Sequence, residues 1–205
     1  MLGGFDWAAF LFAVAVIELT PGPNMGWLAA LTLREGRKAG LAAVGGITSG
    51  LSLQLLAAVT GLTALIVSAP AIFGLLHWAG VAFMLYLAAD ALMDTGEAAP
   101  ATAAGERGFR RGFIANVLNP KALAFYVLLI SQFVDPGAGP VWLQSLLLGL
   151  IHLLVATLVH VAIVLLSSRL GDRLEQWRTS LGARLVFASL LAGIALWIAL
   201  IPPHA

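Results

Sequence analysis

The sequence predicts an all-α integral membrane protein of six transmembrane helices in a 3+3 inverted repeat, with the first and fourth helices broken by proline. Three observations carry this. Of 205 residues, 60% are hydrophobic and 10% charged, and the mean hydropathy is +0.97, too apolar for a soluble domain of this size. Six apolar stretches, near 5–33, 38–67, 71–93, 110–134, 141–168 and 182–201, are each long enough to cross a hydrocarbon core of about 30 Å at about 1.5 Å per residue. Two prolines interrupt the first and fourth stretches about halfway along: Pro21, in Glu18-Leu19-Thr20-Pro21-Gly22-Pro23-Asn24, and Pro120, in Asn119-Pro120-Lys121-Ala122. Proline removes a backbone donor and clashes with the preceding turn, so the freed polar groups must line a cavity or be rescued by neighbours. A broken helix in each half of a membrane protein points to a transporter site.

The first stretch has no basic residues ahead of it, which sets it apart from a cleaved signal peptide. It ends at Arg34, Arg37 and Lys38. The second carries Gly46-Ile47-Thr48-Ser49-Gly50, a small-residue spacing for close helix packing, with Ser52 and Gln54 adding polarity nearby. The third ends at Asp90 and Asp94, one turn apart, best read as solvated and facing basic loops. Residues 94–109, rich in Ala, Gly, Pro and charge, read as a cytoplasmic linker between repeat one (about 5–93) and repeat two (about 110–201) of a single transmembrane domain, 1–205. Arg107, Arg110 and Arg111 precede the fourth stretch, and Arg169, Arg173, Arg178 and Arg184 lie between the fifth and sixth. The remaining connections and both tails hold no Lys or Arg, so the positive-inside rule places both termini outside. In a bacterium that side is the periplasm.

An offset of 99 residues relates the halves: Phe10 to Phe109, Leu19 to Leu118, Pro21 to Pro120, Gly50-Leu51 to Gly149-Leu150. Three helices per half is an odd number, so the halves must insert in opposite directions around a central site.

These residues resemble the LysE/RhtB family of amino-acid exporters. The matching pieces are Thr20-Pro21-Gly22-Pro23-Asn24, Gly36-Arg37-Lys38-Ala39-Gly40-Leu41 with Gly46 and Gly50, Phe109-Arg110-Arg111-Gly112-Phe113 leading into Asn119-Pro120-Lys121-Ala122, and Gln132-Phe133-Val134-Asp135-Pro136. The resemblance implies efflux of amino acids or related small metabolites across the bacterial inner membrane, driven by an ion gradient. Many family members carry an Asp after the second-stretch glycine, where this chain has Leu51. A coupling role for that acid does not transfer here.

Glu18 and Lys121 are the only charged residues deep within the expected spans, and charge there is expensive unless paired or facing water. Glu18 lies 12 residues from Asp6 and Lys121 lies 14 from Asp135, depths of about 18 and 21 Å at helical rise. One reading is a structural salt bridge between the halves. The other gives Glu18 a proton or the substrate ammonium, and Lys121 the substrate carboxylate. Gly22 leaves room for a ligand beside the backbone, while Thr20, Asn24, Asn116 and Asn119 offer hydrogen bonds at similar depth. The amides opening each second half-helix suit an anionic group. Thr20 can equally cap those amides, and Asn116 and Asn119, three apart, can equally knit helices together.

His152 and His160 flank Ala156 on one helix face. A proton relay is the minor reading there, and hydrogen bonds to a neighbouring helix the major one. Trp7, Trp78 and Trp142 read as interfacial anchors, whereas Trp27 falls inside the first span, where it can line a pathway.

The absence of Cys removes thiol chemistry and disulfides, and the net charge of +1 carries no message about nucleic acid. No H-E-x-x-H, paired-aspartate or phosphate-loop motif supports an intramembrane enzyme. With no cofactor, metal site or nucleotide site indicated, the expectation is a secondary transporter exporting an amino acid by proton antiport, embedded in the lipid bilayer, with glycine-rich faces that permit a homodimer. A small ion or metal exporter on the same fold is the alternative.

Overall fold

The computed structural model describes residues 6–20, 22–61, 69–93, 101–119, 122, 125–173 and 180–200, and every regular element among them is helical. α1 (Trp7–Leu19) begins at Asp6, whose side chain accepts the Ala9 amide at 2.9 Å, satisfying a donor that helix starts leave open. Its 13 residues reach about 20 Å, short of a hydrocarbon core of about 30 Å. α2 (Pro23–Val59) restarts the chain with Gly22 extended at the cap and Pro23 in the first helical position, where a missing N–H costs nothing and the fixed φ suits the helix. The chain is thus interrupted where the sequence placed its first break. Pro21 lies outside the described residues.

Within the connection expected at residues 34–38, α2 breaks at Gly36, which is non-helical with φ 84° and ψ 178°, so two helical segments join across a kink there. Glycine reaches that φ without the penalty a Cβ brings. The turn is sharp: a Cβ built on Gly40 would collide with Thr32 Oγ1, whereas eight residues of straight helix span about 12 Å. At the far end, Gly61 (φ 79°) donates its amide to the Ala58 carbonyl at 3.0 Å and closes the helix.

The remaining elements are α3 (Pro70–Met93), α4 (Ala101–Val117), a π-helical turn (Phe125–Leu129) continuing into α5 (Ile130–Phe133), a 3₁₀ turn (Pro136–Ala138), α6 (Val141–Arg173) and α7 (Leu181–Leu200). Residues 101–109, within the expected linker, are helical and belong to α4. Three of the nine are Ala, and Glu106 and Arg107 are also helix-favouring, while Gly108 there and Gly112 beyond it give α4 a face that packs. α4 ends in a turn at Leu118, with the Asn119 amide donating to the Asn116 carbonyl at 2.9 Å. Pro120 and Lys121 lie outside the described residues. Shifted by 99 residues, α1 falls on the C-terminal part of α4, and the start of α2 falls on residues 122–134.

Small residues let the backbones touch. A Cβ on Gly108 or Gly112 would run into the Ala39 or Ala43 carbonyl, and one on Gly46 into the backbone of Phe109 and Phe113. The part of α2 beyond Gly36 therefore lies parallel to α4 at close range. It runs antiparallel to α6, with Gly40 near Val164, Thr48 Oγ1 3.0 Å from Thr157 Oγ1, and Leu55 against Gly149. Ahead of Gly36, α2 packs on α7, Gly26 meeting Ile194 and Ala30 meeting Ala183 and Phe187.

Four helical segments are long and apolar enough to cross a membrane: α2, Gly74–Met93 within α3, Val141–Gly171 within α6, and α7. The chain is a multi-pass membrane protein. Trp7, Trp78 and Trp142 are exposed on its surface.

Candidate functional site

The ends of the two interrupted helices meet through a pair of asparagines. Asn24, in the first turn of α2, donates Nδ2 to Asn116 Oδ1, in the last turn of α4, at 2.9 Å. Trp27 Nε1 donates to Asn24 Oδ1 at 3.3 Å. Indole N–H only donates, so it orients the Asn24 amide, which in turn orients that of Asn116. The outcome is a buried donor, Asn116 Nδ2, with no hydrogen-bond partner. A polar atom in that state costs about 1–3 kcal/mol. Beneath the pair, Gln54 Nε2 donates to the Asn116 carbonyl at 3.1 Å and lies 3.4 Å from that of Val117, serving carbonyls that the end of α4 leaves open.

Asn116 lies in the wall of a cavity of about 30 Å³ between the two helix ends. Glu18, Gly22, Asn24, Asn119, His152 and His160 share that wall. So does Leu51, the position where the resemblance implies an acid. The start of α2 contributes Gly22, Asn24 and Met25, placing the positive end of a helix dipole at the cavity.

Glu18, in the last turn of α1, is buried, and its Oε1 lies 3.1 Å from His152 Nε2 on α6. His152 Nδ1 is 3.2 Å from the Tyr126 hydroxyl, and the imidazole stacks on Phe125 at 3.6 Å between ring centroids. With Glu18 ionised, its oxygen only accepts, so Nε2 carries the hydrogen and Nδ1 of the neutral ring accepts from Tyr126. A proton taken up from outside the pair onto Glu18 removes the charge, and the contact persists if the ring takes its other tautomer, Nε2 then accepting from Glu18 and Nδ1 donating to the Tyr126 hydroxyl.

Of the residues singled out in the sequence, Glu18, Gly22, Asn24, Asn116, Asn119, His152 and His160 are brought to this one cavity. Pro23 opens α2 next to it, and Trp27 closes it through Asn24. Thr20 stands apart: it is exposed, and its hydroxyl donates back to the Val16 carbonyl at 2.6 Å. Pro21, Pro120 and Lys121 lie outside the described residues. The sequence set Glu18 opposite Lys121, which lies outside the described residues; among the described ones, Glu18 contacts His152. Phe125 and Tyr126 went unread because their apolar run gives no hint of the π-helical turn that aims them at His152, although such turns mark functional sites often enough to be a signal.

The profile of the LysE type translocator family matches residues 15–200. An uncharacterized membrane protein of Vibrio cholerae is 26% identical over 197 residues, covering 94% of this chain and 96% of that one. A leucine efflux protein of Salmonella choleraesuis is 32% identical over 141 residues, 66% of each chain. A homoserine/homoserine lactone efflux protein of Salmonella typhimurium is 27% identical over 170 residues, 80% of this chain and 82% of its own. No solved structure matches the chain at a significant level. With the match running through both interrupted helices and the cavity between them, this chain belongs to the LysE type translocator family.

Proposed function

We propose that the protein exports neutral amino acids or close derivatives from the bacterial cytoplasm across the inner membrane, in exchange for protons. The observation that carries this is the unpartnered Asn116 Nδ2 in a buried cavity where two interrupted helices meet. A substrate carboxylate would satisfy that donor and lie against the start of α2. Lys121, two residues beyond Asn119 in the chain, is the cation assigned to the same carboxylate. Glu18 receives the ammonium, displacing the proton that it takes up, so substrate and proton compete for one carboxylate. That competition is what antiport requires.

The names of the relatives support small neutral substrates. The sharp turn at Gly36 supports counting α2 as two passes, and with the residues after α4 counted as the second half of a broken helix, six passes result in a single 3+3 domain. The arginine-rich loops support placing both termini outside. The homodimer is retained as the assembly that the small-residue faces allow.

The test is efflux of radiolabelled leucine and homoserine from loaded proteoliposomes of the purified protein. Acidifying the outside should speed efflux by about tenfold or more, since one pH unit across the membrane is worth about 1.4 kcal/mol per proton. A protonophore should remove the gain. Label lost no faster than from protein-free liposomes would refute the proposal.

A further inference from the structure

On the basic side of the molecule a second polar cluster lies apart from the central cavity. Arg111, on α4, donates Nη1 to Glu35 Oε1 at 2.7 Å and Nη2 to Asp90 Oδ2 at 2.6 Å. Glu35 is the last residue of α2 before the Gly36 kink, and Asp90 lies in the last turns of α3. One guanidinium thus ties three helices together. The other oxygen of Glu35, Oε2, is buried and has no hydrogen-bond partner. An acceptor on an ionised group in that position is costly and asks for an explanation.

The space around it supplies one. Trp27, Arg34, Glu35, Asp90, Arg111 and Phe187 line a pocket of about 30 Å³ with Arg111 held by its two acids, and the remaining wall is aliphatic. Its charged residues balance, two cationic against two anionic, as suits a zwitterion. Trp27, 1% exposed, is its floor, and the hydrogen bond from Trp27 to Asn24 joins that floor to the central cavity. On the other side, a wider space lined by Tyr86, Glu106, Arg107 and Arg110 shares Asp90 and Arg111 with it. The three spaces form a series: outer vestibule, ion pairs, pocket, indole, central cavity.

We propose that this pocket is a first subsite for the amino-acid zwitterion on the cytoplasmic face, in which Glu35 Oε2 accepts from the substrate ammonium and Arg111, released from Asp90, takes the carboxylate. The aliphatic wall and the Trp27 ring receive the side chain. The proposal rests on the exporter reading. Asp90 then acts as the group that the substrate carboxylate must displace, and the two acids have opposite effects on binding.

That opposition is the test. Transport of radiolabelled leucine is measured in inside-out vesicles, which present the cytoplasmic face, and by exchange in right-side-out vesicles, which present the other. Glu35→Gln should raise KM at the cytoplasmic face about tenfold, the loss expected for a hydrogen bond to a charged group, and leave KM at the outer face unchanged. Asp90→Asn should lower KM at the cytoplasmic face, because Arg111 is then free for the carboxylate. A purely structural bridge or a gate would move both variants in the same direction, since each breaks one of Arg111's two bonds. Shifts of like sign, no shift in either, or failure of both variants to fold on gel filtration would overturn the subsite. Absence of transport by the unaltered protein would remove the exporter reading and this subsite together, whereas normal transport with unshifted KM would remove the subsite alone.

Discussion

Glu18→Gln is expected to leave a folded protein whose substrate exchange persists but no longer responds to a pH gradient. The side-chain amide keeps an Oε1 that accepts from His152 Nε2 at the position occupied now, 3.1 Å away, so the contact between α1 and α6 survives. What is lost is the site that takes a proton. Efflux stimulated about tenfold by external acid in the parent should fall to the unstimulated rate in the variant, while counterflow of labelled against unlabelled amino acid at equal pH continues. His152→Ala should behave differently. It removes the hydrogen bond to Glu18 and the ring stacked on Phe125, and should lower the Tm. A Glu18→Gln protein with the parent's response to external acid would exclude Glu18 from coupling.

The second large effect is expected at Asn116. Truncation to Ala removes both the bond to Asn24 and the free Nδ2 donor. Loss of a donor to a substrate carboxylate should weaken apparent affinity about tenfold to a hundredfold, from the roughly 1.5–3 kcal/mol attached to hydrogen bonds with charged groups. The stability change should be smaller than the functional one, because the unpartnered donor in the substrate-free state disappears with the side chain. The KM for efflux and the Tm of the purified variant check both statements. A Tm collapse with unchanged KM in the surviving fraction would make Asn116 a structural residue only.

That α1 stops at Leu19 and α4 at Val117, shortly ahead of Pro21 and Pro120 in the chain, was legible because proline acts locally, through its own missing N–H and its clash with the preceding turn. The apolar character of the spans was legible for a related reason: hydropathy sums along the chain without knowledge of neighbours. What depends on helix rotation was not. The sequence set Glu18 opposite Lys121 and gave His152 a hydrogen bond to some neighbouring helix, without saying which azimuth each helix takes. Its contact with His152 is set by how α1 lies on α6. Arg111 read as a loop cation because it sits in a basic run, yet its side chain is 13% exposed and bridges α2 to α3. Gly108 looked like linker composition because small residues signal both flexible chain and close packing, and only the apposed Ala39 carbonyl distinguishes the two. The turn at Gly36 could be placed but not its sharpness, since a single glycine with positive φ does the work of a loop.

The central claim is that an amino acid occupies the cavity between the two helix breaks. Because the chain has no Cys, a single Met25→Cys substitution puts one thiol in the wall of that cavity, and its rate of modification by a small maleimide reports directly on occupancy. Leucine or homoserine should slow that rate in a saturable manner, at concentrations matching the KM for efflux, and Asn116→Ala should shift the protection curve to higher concentration by the same factor as its KM. A modification rate indifferent to every transported amino acid, in protein that exports them normally, would place the substrate elsewhere and contradict the account.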